Sequence, residues 1–234
     1  MRPLHACVLV TALIGVGLAG VQAATLGGVT AKSLGAFEQP GSTSAPTVVG
    51  CDSFTGTTGA SMSLRAVTTA GPCSSLVWTV HVGTWTIQTS QGASSATASA
   101  VATLNTSFIG GSAEVVLASL NTGGRSGGLV LSHDGVSTYL AAVMIDATPD
   151  RIELRIVNSG VSTLLGTANP TFLTTNTLRL TRSGSSMTVL LNATSVLTFS
   201  LSAAQVSSLG TGGRAGLFGG NASVRFDNFV ATNP

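Results

Sequence analysis

The sequence predicts an all-β protein, and three observations carry that reading. Gly, Ser, Thr, Ala and Val dominate while lysine appears once, at Lys32, the profile of a turn-rich sheet protein rather than a helical one. Residues Arg151 to Ile156 alternate cleanly, with Ile152, Leu154 and Ile156 on one face and Glu153 with its arginine neighbours on the other, the pattern of a half-buried strand. Strand-like runs also come in pairs around short turn sequences such as Asp134-Gly135 and Ser183-Gly184-Ser185, the wording of antiparallel hairpins.

Composition sets the outer limits. With 234 residues, 44% hydrophobic and 8% charged, the chain suits one large β domain plus a processing segment. Aromatic residues make up 5%, so Val, Leu and Ile must build most of the core. A formal net charge of +2 provides no electrostatic footprint for nucleic acid.

The elements then follow in order. Arg2 precedes an apolar run from Ala6 to Val21, and Val21-Gln22-Ala23 fits a small-x-small cleavage pattern, so residues 1–23 are expected to be a secretory signal and the mature protein secreted or held at the cell surface. The run is too short and too rich in glycine for a membrane span. Cys7 stands at its beginning, whereas a lipid-anchoring cysteine belongs at the end. Residues 24–50, with Gln39-Pro40-Gly41-Ser42 and little periodicity, read as an extended leader or linker. The mature chain keeps Cys51 and Cys73, an even count that reads as one disulfide in an oxidising compartment.

From Cys51 to the end at residue 234 one domain is expected. Leu129-Val130-Leu131 and Tyr139 to Val143 flank Asp134-Gly135 as a hairpin. Leu178 to Thr181, Met187 to Leu191 and Val196 to Phe199 make a three-stranded meander turning at Ser183-Gly184-Ser185 and Asn192-Ala193-Thr194. One short helix is expected near 202–209, because Ser202 and Gln205 form a capping box and Gly210 suits the exit. In the last strand Val224 and Phe226 share a face, but Phe229 breaks the two-residue period. A β-bulge near Asp227-Asn228 would return both phenylalanines to the core.

Gly213-Arg214-Ala215-Gly216-Leu217-Phe218, a Gly220-Asn221 turn and Ser223-Val224-Arg225-Phe226-Asp227-Asn228-Phe229-Val230 close the chain. This hairpin resembles the last strands of concanavalin A-like, laminin G-like β-sandwich domains, and Trp78 to Trp85 is similar to their "W-x-x-x-x-G-x-W" opening. The resemblance spans about Cys51 to Thr232 and implies a two-sheet antiparallel jelly-roll sandwich. The stretch from Thr25 to Ala36, with Val49 to Phe54, resembles the start of exported actinobacterial proteins. Asn105, Asn192 and Asn221 begin Asn-x-Ser/Thr sequons, which in a bacterial protein are coincidences of composition.

Catalytic patterns are missing from the sequence. Retaining glycosidases need two carboxylates about 5 Å apart, and the Glu-x-Asp-x-x-Glu strand of the family's glucan-cutting members has no match here. Glu114 stands alone, and Asp150 and Glu153 fall on opposite faces of a strand. Ser132-His133-Asp134 holds the residue types of a hydrolase triad, but consecutive strand residues point to alternating sides. The expectation is therefore a protein that is not an enzyme.

Two binding chemistries remain. The resemblance implies that first and last strands are neighbours, so Asp52 and Asp227 are the candidate ligands of a structural calcium; no other cofactor is expected. Sugar binding calls for an exposed aromatic face. Trp78 and Trp85 read mainly as core packing, with Trp85 kept in the candidate set. Tyr139, just past the hairpin turn, is the better surface candidate, with Asn121, Arg125 and His133 as polar neighbours. The expected function is a non-catalytic extracellular module binding a glycan or mediating adhesion, with a surface protein as the other partner class. Alternatives are an envelope structural or protein-interaction domain without a sugar ligand and, third, a glycoside hydrolase relative lacking the usual motif. An aromatic ring beside a polar cluster on the sandwich face would favour glycan binding, and a face of only Ser, Thr and Ala the envelope domain.

Overall fold

The computed structural model describes residues 45–233 apart from 69–72, 74, 96–98, 121–122 and 221–222. The expected signal, most of the leader, Asn121 and Asn221 lie outside the described residues. Among the described residues no helix is long and apolar enough to cross a membrane.

Among the described residues two antiparallel sheets make the domain. The first runs in the order β13 (Thr194–Ser200), β12 (Ser186–Leu191), β11 (Thr175–Ser183), β6 (Gly111–Ala118), β15 (Arg225–Thr232), β4 (Gln91–Ser94) and β3 (Trp85–Gln88), with β1 (Val48–Asp52) also paired to β15. The second runs β10 (Val161–Ala168), β9 (Arg151–Asn158), β8 (Tyr139–Ile145), β7 (Ser126–His133), β14 (Arg214–Gly219), β5 (Ala100–Asn105) and β2 (Thr79–Val82). This is the expected all-β jelly-roll sandwich. Strand β1 begins at Val48, three residues before the expected boundary at Cys51, and it opposes the last strand as the resemblance implied.

Strand periodicity builds the core. Leu129, Leu131, Leu140, Ala142, Ile152 and Leu154 of the seven-stranded sheet meet Val115, Leu117, Leu178, Leu180 and Val189 of the other. Each such Leu, Ile or Val side chain contributes about 1.5–3 kcal/mol through burial. The last strand carries the expected bulge: its register shifts between Asp227 and Val230, Asn228 takes φ 51°, and both Phe226 and Phe229 are fully buried. An extra residue is the means by which an off-period phenylalanine keeps its place inside. The hairpin turn at Asn192-Ala193 has both residues at positive φ, and the helix α1 (Ala203–Leu209) starts on the expected Ser202–Gln205 capping box.

Cys51 and Cys73 form a disulfide with their Cα atoms 5.5 Å apart. Beside it Asp52 accepts hydrogen bonds from the Arg65 guanidinium (2.7 Å), the Trp78 indole Nε1 (2.6 Å), the Thr68 hydroxyl (2.7 Å) and the backbone N–H groups of Phe54 and Thr68. Burial alone would raise its pKa, but these bonds hold the carboxyl below the ordinary value.

Candidate functional site

The outward-facing positions of the two sheets differ in chemistry. On the eight-stranded sheet they are mainly polar, Ser112, Glu114, Thr177, Arg179, Thr181 and Thr188 beside Val116 and Leu190, with Glu114 and Arg179 paired at 2.6 Å. On the seven-stranded sheet they include a second apolar cluster of Val101, Val130, Tyr139, Ala141, Val143, Val157 and Phe218. A cavity of about 240 Å³ opens over this cluster.

Its most ordered feature is a stack of three rings. Tyr139, the first residue of β8, lies parallel to His133 with centroids 5.2 Å apart and 11° between planes; His133 in turn stacks on His81 of β2 at 4.2 Å and 28°. Plain alternation along β7 would point His133 inward, since Leu129 and Leu131 face the core. A one-residue register shift against β14, with Ser132 at φ 54°, turns His133 outward instead. Ser132 is left on the core side, where its hydroxyl accepts from Arg182 at 2.8 Å. Gly216 of β14 pairs with Thr103 and Val130 between the strands that carry the histidines, and a Cβ there would collide with the Ala102 carbonyl.

The loop 134–138 fixes the chemistry of the stack. Asp134 Oδ1 accepts the backbone N–H groups of Val136, Ser137 and Thr138 at 2.7–3.0 Å, and Gly135, at φ 90°, donates its N–H to His133 Nδ1 at 2.8 Å. With Nδ1 an acceptor, the neutral ring carries its proton on Nε2. Burial pushes the His133 pKa down to about 4, reinforced by His81 and Arg214 and opposed by Asp134. His81, which shares a 2.8 Å hydrogen bond with Thr103, is lowered by burial and Arg214. The Tyr139 phenol is pushed up by burial, with Arg155 pulling against it. At neutral pH the stack is thus uncharged, with the His133 Nε2–H and the tyrosine hydroxyl as donors.

Charge enters from β9. Arg155 lines the cavity and donates through Nε and Nη2 to Glu153 Oε2, while Arg151 takes Glu153 Oε1 at 2.7 Å. Two guanidinium groups share one carboxylate. Ser137 and Ser162 add hydroxyls to the wall, and Val82 and Val136, 50% and 76% exposed, flank it.

The sequence-predicted residues are distributed unevenly. Tyr139 and His133 come together at this cavity. Arg125 does not join them: it lies just before the opposite end of β7 and donates to the Ser119 carbonyl at 2.6 Å. Trp85 is corrected outright, being 1% exposed in the inter-sheet core against Phe226 at 5.4 Å, so it offers no face to a ligand. Asp52, facing Phe229 across β1 and β15, has its oxygens saturated by five donors, and Asp227 Oδ1 accepts from the Asn228 N–H. The expected calcium site is corrected accordingly: one of its two carboxylates has no oxygen left to give. Among the described residues no group of three or more His, Cys, Asp and Glu side chains is placed to hold a metal.

His81, Arg155 and Phe218 were missed as site residues. Arg155 was legible as an outward position of an alternating strand; His81 of β2 and His133 of β7 meet only because the β7–β14–β5–β2 order and a bulge bring them together.

No family model matches the chain, and no curated protein matches it. Solved structures do. A carbohydrate-binding module from Bacillus subtilis superposes with a TM-score of 0.50 at 18% identity, over 67% of this chain and 91% of that one. A Bacillus licheniformis β-glucanase gives 0.48 at 10% identity, over 82% and 99% of the two chains. A galectin from Caenorhabditis elegans gives 0.41 at 10% identity, over 55% and 85%. At these identities the likeness is one of fold alone, a two-sheet jelly-roll sandwich.

Proposed function

We propose that this protein is a non-catalytic extracellular module whose ligand is a glycan, taken into the cavity on the outer face of the seven-stranded sheet. The observation that carries the reading is the pairing of an apolar floor with oriented donors. Val101, Val157 and Phe218 suit the C–H face of a sugar ring, while His133 Nε2–H, the Tyr139 hydroxyl, Ser137 and Ser162 meet its hydroxyls. Exposed Val82 and Val136 at the rim add apolar surface that ligand contact would cover.

The absence of catalysis is part of the same proposal. A glycosidase needs one carboxylate as acid and a second as nucleophile or base, and among the described residues no carboxylate lines the cavity. Glu153, on the same face, is neutralised by two arginines. The disulfide supports an oxidising compartment, in keeping with export.

A glycan array probed with the mature chain tests the reading. Selective binding is expected, equal with calcium and with chelator, and weakened by Tyr139→Ala and Phe218→Ala while the circular dichroism spectrum holds. Silence across a broad array would move the protein to the structural or protein-binding class.

A further inference from the structure

Arg155 gives the cavity a chemical preference. Among the described residues it is the only side chain on the wall with a full charge, because His133 is neutral and no acidic group lines the site. Arg151 and Arg155 share the single carboxylate of Glu153, so the cluster keeps one uncompensated positive charge. Glu153 takes the Nε–Nη2 edge of Arg155 through one oxygen. The end-on edge, formed by Nη1 and the second Nη2 proton, has no partner among the described residues. That edge is a planar two-donor fork, the geometry that matches a carboxylate. The other polar side chains of the wall are a ring N–H, a phenol and the hydroxyls of Ser99, Ser137 and Ser162. The hydroxyls both donate to and accept from a sugar's own hydroxyls, and among the described residues the wall carries no anion to occupy the end-on edge of Arg155.

We infer that the sugar taken by this cavity carries a carboxylate, making the ligand a uronic acid, with Arg155 as the residue that selects it. The inference rests on the cavity being the glycan site. The acid group would lie against the end-on edge of Arg155, with the ring over Val157 and Phe218 and its hydroxyls near His133 and Tyr139.

Isothermal titration of the full chain against short oligomers of galacturonate, glucuronate and mannuronate, each beside its methyl ester, with neutral and sulfated oligosaccharides alongside, tests this. Esterification removes the charge and keeps the skeleton. At least one acid is expected to bind on the order of tenfold tighter than its ester, with the gap narrowing as salt rises. Arg155→Gln is expected to close the gap, and Arg155→Lys, which keeps the charge without the fork, to leave part of it. Thermal unfolding of both variants checks that they are folded. Esters or neutral oligosaccharides binding as well as the acids, a preference that survives Arg155→Gln, or binding confined to sulfated sugars would overturn the inference and leave the glycan reading standing. Failure of every acidic, esterified and neutral sugar to bind would remove both.

Discussion

Asp52 and His133 are each 1% exposed and each lies at the end of a strand, yet they are opposite kinds of polar cluster. Asp52 is closed. Every donor near it, from Arg65, Thr68, Trp78 and Phe54, is aimed at the carboxylate, and nothing is left over for a ligand. His133 is open. One ring nitrogen is satisfied by the Gly135 N–H, both faces are stacked on aromatic neighbours, and the other nitrogen remains as a donor beside a cavity. Saturation separates structural polarity from binding polarity, because a buried group is stable only when its hydrogen bonds are made.

The largest effect expected from this contrast falls on the closed cluster. Asp52→Ala leaves a guanidinium, an indole N–H, the Thr68 hydroxyl and two backbone N–H groups without their acceptor, and should cost about 3–5 kcal/mol in urea unfolding. Sugar binding by the folded fraction should be unaltered. A loss below about 1 kcal/mol would mean that the network is not a unit.

Reduction of the neighbouring disulfide should remove a further share of stability. The bridge joins residues 22 apart in sequence, a loop worth roughly 3 kcal/mol in the chain-entropy picture. Denaturation midpoints with and without reductant report it, and an unchanged midpoint would break the prediction.

The open cluster should show itself in acid. His133 titrates at 6.5 in the unfolded chain and at about 4 in the fold, so between these values the unfolded chain binds a proton that the native state excludes. Stability is therefore complete above pH 6.5 and declines as the pH falls toward 4, by about 3 kcal/mol at most. The facing groups act in known directions: His81 and Arg214 strengthen the effect and Asp134 weakens it. His133→Asn should reduce the decline across this window, leaving the part owed to His81, whose pKa burial also lowers. The carboxylates of Asp52 and Asp134, whose pKa values are lowered, lose their contributions only at still lower pH.

The smallest effect belongs to the Glu114–Arg179 pair on the other sheet, whose side chains are 31% and 48% exposed. A double-mutant cycle should find a coupling of about 0.2–1 kcal/mol. A larger value would make that surface more than a solvated face.

Much of the fold was legible because it is written locally. The alternation at Arg151 to Ile156 became β9, the Ser202–Gln205 box became the start of α1, and the misplaced Phe229 announced a bulge that is present. The site was legible only in part. Tyr139 and His133 were identified, but the polar neighbours were sought in Arg125, which lies toward the other end of the sheet. Trp85 was kept as a ligand candidate because its type is right for sugar, although its alternating strand buries it. The bulge at Ser132 left no comparable trace, since both Ser132 and His133 are polar and neither looks misplaced.

By itself the sequence determined the all-β class, the β7–β8 hairpin, the β11–β12–β13 meander, the capped helix and the cysteine pair, because periodicity, turn chemistry and caps act between residues a few positions apart; the expected closing hairpin is corrected, since β14 and β15 go to different sheets and do not pair. Only the tertiary structure decided that Asp52 is saturated, that His81 and His133 stack, and that Arg151 and Arg155 share one carboxylate beneath a cavity. Those outcomes depend on which strands become neighbours and in what register, and a one-residue shift in register exchanges the two faces of a sheet.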